Sequence, residues 1–146
     1  MASSCQFCTF TIDGILLGVD VLDVQEVIRH QEMTIVPLAP SAVRGLINLR
    51  GQIVTAIDLR CRFGLRSRPA GELPMNVVVR TEEGAVSLLV DDIGDVLEIE
   101  DNSFEKPPET LKGAARELIS RVSKLNGRLL LALDVKRAVD LAIASN

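Results

Sequence analysis

The chain has 146 residues, 47% of them hydrophobic and 25% charged, the make-up of one globular domain whose length suffices to bury a core without disulfides or metal. With 16 Lys+Arg against 20 Asp+Glu, a net charge of −4 and 3% aromatic residues, phosphate neutralisation and base stacking both lack material, so nucleic acid is excluded as an expected partner. One histidine, His30, and neither tryptophan nor tyrosine leave histidine-based catalysis a single candidate.

In chain order, most apolar segments are short, β-branched and bounded by turn residues: CQFCTFTI, GILLGVD, QIVTAIDL, NVVVRT, GAVSLLVDDI and RLLLALDV predict a mostly β protein with many short strands. Two stretches read as short peripheral helices. Val21 to His30 places Val21, Val24 and Ile28 on one side at helical spacing, and Val135 to Ser145 is rich in good helix formers. No apolar run approaches the ~20 residues of a membrane span and no basic-then-apolar leader is present, so a cytoplasmic protein without membrane insertion is expected. The three cysteines, Cys5, Cys8 and Cys61, are expected to stay free thiols in such a compartment.

The strongest pattern is an internal repeat. LINLRGQIVTAIDLR from Leu46 aligns without a gap on VSKLNGRLLLALDVK from Val122, matching Leu49 with Leu125, Gly51 with Gly127, Ala56 with Ala132 and Asp58 with Asp134 at an offset of 76 residues. Upstream, GILLGVDVL echoes GAVSLLVDDI at an offset of 71. Two copies make no solenoid; they predict two related β subdomains sharing one core, with halves at about 12–65 and 75–141. The joint falls in FGLRSRPAGELP, where Gly, Pro and Arg interrupt the apolar alternation. The repeat also assigns Leu118 to Leu125 as a strand, because its counterpart VRGLINL contains Gly45 and runs into a hairpin.

The second hairpin turns on Asn126-Gly127, a pair suited to the positive φ values of a type I′ turn. The first turns on Arg50-Gly51, where a shared turn type would strain Arg50 but not Asn126. Strain kept in one copy points to a function of that copy.

RGLINLRGQIVTAIDLRCRFGL, from Arg44, resembles the signature of the CheW family of bacterial chemotaxis coupling proteins. FTIDGILLGVDVLDVQEVI, from Phe10, is similar to the family's opening, and the likeness continues through VDDIGDVLEI to the closing hairpin and helix. The resemblance implies one CheW-like domain over 1–146, made of two five-stranded SH3-like β-barrels with strands exchanged between them. It implies a non-catalytic adaptor that couples the cytoplasmic tips of methyl-accepting chemoreceptors to the regulatory domain of the histidine kinase CheA. Such a protein needs no cofactor, is a monomer in solution, and is recruited to membrane receptor arrays. A regulatory scaffold linking some other sensor to a kinase is the alternative. Carried over by motif, the receptor-binding positions are Val24, Glu26, Val27 and Arg50, with Gly45, Val77 and Val96 near the same groove. Thr55 stands where many members have proline.

Other constellations read as inert. Cys5 and Cys8 have CxxC spacing but no second pair, and on a strand they project to opposite faces. Asp91, Asp92, Asp95, Glu98, Glu100 and Asp101 read as a solvated acidic edge, and Arg60, Arg62, Arg66 and Arg68 as a solvated basic loop near the joint. That polarity suggests Arg62 and Arg66 as kinase-binding charges. On a helical wheel Glu26 lies on the wet side with Val27 at the margin, and Arg50 is expected to reach Glu26 as an ion pair bordering the groove.

Overall fold

The computed structural model describes residues 3–140. Eleven strands form two sheets among the described residues. In chain order they are β1 (Ser4–Ile12), β2 (Ile15–Asp20), β3 (Val24–Ile28), β4 (Val43–Leu49), β5 (Gln52–Asp58), β6 (Met75–Thr81), β7 (Gly84–Val90), β8 (Asp92–Glu100), β9 (Phe104–Glu105), β10 (Ile119–Leu125) and β11 (Arg128–Leu133). One sheet runs β8-β1-β2-β11-β10-β9 and the other β3-β6-β7-β5-β4. The first sheet draws strands from both ends of the chain, while the second is built from the continuous middle stretch, β3 to β7; each contains a single parallel pair, β2 with β11 or β5 with β7.

Three apolar clusters fill this frame. Ile47, Leu49, Val54, Ala56, Val78 and Leu89 lie inside the second sheet, and Phe7, Leu16, Ile99, Leu130 and Ala132 inside the first. Between the sheets lies the largest cluster, to which β1, β2, β6, β7, β10 and β11 all contribute, among them Phe10, Leu17, Val77, Leu88, Val122 and Leu133. Strands such as β6 and β7 are buried on both faces, which is why NVVVRT and GAVSLLV read as nearly continuous apolar runs.

The helices are shorter than the sequence suggests. Val21 to His30 is not a helix: a single 3₁₀ turn at Val21–Asp23, capped by the Asp20 carboxylate on the Leu22 N–H at 2.9 Å, leads directly into strand β3. A bulge explains the misleading period. Between Val24 and Glu26 the register against β6 shifts by one residue, so Val24 pairs with Val79 and Val27 with Val77. Two valines three apart thus share a face, imitating helical spacing on a strand. At the other end, α3 spans Val135–Val139, and the remainder of the expected helix, residues 141–146, lies outside the described residues. Two helices were not foreseen, α1 (Leu59–Arg62) and α2 (Ala114–Leu118).

The repeated aspartates have a local task. Asp58 accepts the Arg60 N–H at 3.0 Å at the start of α1, and Asp134 accepts the Arg137 N–H at 3.1 Å at the start of α3. Both are N-caps that end a strand and begin a short helix.

Candidate functional site

The predicted Glu26–Arg50 pair exists. Glu26 sits on β3, an edge strand, and Arg50 at the tip of the β4–β5 hairpin; a guanidinium nitrogen of Arg50 donates to Glu26 Oε2. The Arg50 guanidinium holds the Glu26 carboxyl below its usual range. Arg50 has φ +51° and Gly51 φ +87°, the left-handed pair of a type I′ turn. The Gly51 N–H donates to Asn48 Oδ1 at 2.9 Å. The second hairpin differs, since Gly127 has φ +77° but Asn126 is not among the residues of positive φ. The strained copy is the one whose arginine makes the pair.

Val27 is 37% exposed, an open valine next to this pair in sequence. Because β3 is a strand and not a helix, Val27 and Glu26 point to opposite faces, Glu26 lying across from Val78 and Val27 across from Val77. The edge strand itself, rather than a helix margin, carries the two features.

The remaining positions expected to line the receptor groove divide. Val24 is half-buried beside the central cluster. Val77 is fully buried in it, so it supports β3 from beneath and offers no surface. Gly45 is also buried. A Cβ there would stand 2.6 Å from the Thr34 carbonyl oxygen, and Thr34 and Leu46 exchange backbone hydrogen bonds at 2.9 and 2.8 Å that fasten the β3–β4 connection to β4. Val96 is 56% exposed but lies on β8, an edge strand of the other sheet, opposite Cys8. A broad hollow of about 870 Å³ is lined by Asp23, Arg80, Glu83 and Lys136 among others, and by none of these receptor positions.

The basic loop is not a solvated surface, and Asp91 leaves the acidic edge to join it, while Asp92, Asp95, Glu98, Glu100 and Asp101 stay exposed as expected. Arg60, Arg62 and Arg68 are largely buried, and only Arg66 stands out in solvent, 3.9 Å from Asp13. Arg62 donates to the carbonyls of Ala138 at 2.9 Å and Arg137 at 2.7 Å, closing the last turn of α3. Its burial pushes the guanidinium pKa down, and it presents no charge to a partner. Arg60 and Arg68 reach Asp91 through their Nε atoms at 2.9 and 2.8 Å, and the Asp13 N–H donates to the same carboxylate at 2.7 Å. Burial alone would push Asp91 up, but these donors outweigh it and hold the carboxyl down at about 2. Arg68 also touches Asp58 at 3.4 Å, and Arg44 does so at 3.1 Å. No signal in the sequence could pair Asp91 with Arg60 and Arg68, since turns and a whole strand hairpin separate them.

Cys5 donates its thiol to Asp101 Oδ1 at 3.3 Å. His30 follows the end of β3, not the end of a helix. No cluster of three or more metal-ligating side chains occurs among the described residues, and no helix there is long and apolar enough to cross a membrane.

Comparison with known proteins adds the following. The family model described as CheW-like domain matches residues 6–142. The chemotaxis protein CheW of Thermotoga maritima is 30% identical over 132 residues, covering 90% of this chain and 85% of that protein. That of Klebsiella aerogenes is 28% identical over 144 residues, covering 97% and 87%. The crystal structure of the scaffolding protein TtCheW from Thermoanaerobacter tengcongensis superposes with a TM-score of 0.81 at 28% identity, over 90% of each chain.

Proposed function

The chain belongs to the CheW-like domain family, and on that premise we propose that it is a non-catalytic adaptor of chemotaxis signalling. It couples chemoreceptor cytoplasmic tips to the regulatory domain of the histidine kinase CheA, working in the cytoplasm as a monomer that joins receptor arrays. The observation that carries the receptor side is the β3 edge, which holds the exposed Val27 on one face and the Glu26–Arg50 pair on the other. An edge strand that offers an exposed apolar side chain on one face and a charge pair on the other suits a receptor helix laid along that edge, its apolar stripe on Val27 and its polar flank toward Glu26 and Arg50. Arg66, exposed on the junction loop, is the kinase-facing charge; Arg62 is withdrawn from that role by its burial.

Calorimetric titration of the full chain against the cognate CheA regulatory domain and against a receptor-tip fragment tests this. Both bind. Arg50→Ala weakens the receptor arm by tenfold or more and leaves the kinase arm unchanged, and Arg66→Glu does the reverse. Binding to neither partner overturns the adaptor reading. Native receptor affinity in Arg50→Ala removes the receptor site from β3.

A further inference from the structure

We infer that Asn48 is a positioning residue for receptor binding: its carboxamide selects the left-handed turn from which Arg50 reaches Glu26. The inference rests on the receptor-binding reading of that pair. Its starting point is a reversal between the two hairpins. Asparagine tolerates left-handed backbone and arginine does not, yet Arg50 has φ +51° while Asn126 stays out of the positive region. The turn dipeptides therefore do not choose their own conformation.

What differs is the residue two positions before the turn. In a two-residue hairpin the inner amides have no partner in the ladder. In the first copy the Gly51 N–H is taken by Asn48 Oδ1 at 2.9 Å, and Asn48 faces Ile53 across the hairpin. The repeat places Lys124 at the equivalent position. An ammonium group is a donor only, so it cannot receive the Gly127 N–H, and it turns instead to Glu105 at 3.7 Å. The acceptor and a left-handed first turn residue thus occur together in one copy and are missing together from the other.

The consequence reaches the pair. The Arg50 side chain is 74% exposed, so little packing directs it. Its course is set by the backbone it leaves from and by the Glu26 carboxylate at its end. Rotating the turn out of the left-handed region redirects the Cα–Cβ bond of Arg50 and returns Glu26 to solvent.

The test uses the full chain with Asn48→Ala, which removes the acceptor, and Asn48→Asp, which keeps it. Two quantities are followed: affinity for the receptor-tip fragment and for the CheA domain, and the titration of the Glu26 carboxyl by NMR. Asn48→Ala weakens the receptor arm three- to tenfold, leaves the kinase arm unchanged, and moves the Glu26 titration up toward an ordinary carboxylate; Asn48→Asp restores both. An alanine variant with wild-type receptor affinity and unmoved Glu26 titration overturns the inference, as does equal loss on both arms or failure of aspartate to restore. If the wild-type chain itself ignores the receptor fragment, the proposed function fails, and the Glu26 titration alone decides the role of Asn48.

Discussion

Arg50 holds a backbone conformation that costs an L-residue roughly 1–2 kcal/mol, on a hairpin tip that any glycine would occupy more easily. Arg50→Gly relieves that strain, but glycine also gains freedom in the unfolded chain, an opposing effect of about 0.4–1 kcal/mol. The net change is therefore a gain of roughly 0–1.6 kcal/mol, with a thermal midpoint at or slightly above wild type and receptor binding lost. A large fall in the midpoint would mean that the pair with Glu26 serves folding instead. At this scale the sequence was informative where a residue type clashed with its place: an arginine where a turn wants asparagine or glycine marked Arg50, while Glu26 came from the family motif and a helical wheel that the strand β3 does not follow. It was silent on Arg62, because four arginines in nine residues resemble a solvated loop, and nothing local shows that one of them satisfies carbonyls 75 and 76 residues away.

Among the elements, β3 is the one that local pattern misread. VQEVI has the β-branched content of a strand, but its bulge breaks the two-residue alternation at the one place where the period could be counted. The repeat was the better guide. It placed β10 correctly because β4 already contained Gly45, a poor residue for a helix interior. Gly45 itself is a matter of close approach. The Thr34 carbonyl crosses where a side chain would stand, at 2.6 Å from an added Cβ, and it is backbone that cannot swing aside. Gly45→Ala pushes the β3–β4 connection off β4 and destabilises the fold by roughly 1–3 kcal/mol, the usual range for overpacking. Denaturant unfolding checks this; an unchanged midpoint would show that the connection gives way freely.

For the molecule as a whole, Asp91 is the knot. It receives Arg60 from α1, Arg68 from the junction loop and the amide of Asp13 from the β1–β2 turn, so one carboxylate ties both sheets and the segment between the repeats. Its folded pKa of about 2 lies below the ordinary 3.8. The stability it contributes is therefore complete above about pH 4 and is lost as pH falls from there toward 2. Asp91→Asn takes the carboxylate from Arg60 and leaves Arg68 only its longer contact with Asp58, both guanidinium groups being under a tenth exposed, and costs roughly 3 kcal/mol, the low end for breaking a buried pair. The variant also flattens acid denaturation over that interval; a variant with the wild-type acid profile would remove Asp91 from this role. Such long-range pairing has no trace in local sequence, whereas the two-sheet plan did, through the matched hairpins.

The parallel pairing of β2 with β11 sets a clock on the making of this protein. Leu17 lies against Leu131, 114 residues later in the chain. At ~5–20 residues per second, a ribosome finishes the first hairpin about 6–23 s before its neighbour exists. During that interval Leu17 and Val19, fully covered in the finished fold, can meet β1 and the cluster residues of β6 and β7 but not the strand that closes their sheet edge. Nascent chains of this protein must pass through a stage in which β2 is complete in sequence and still an open edge in structure.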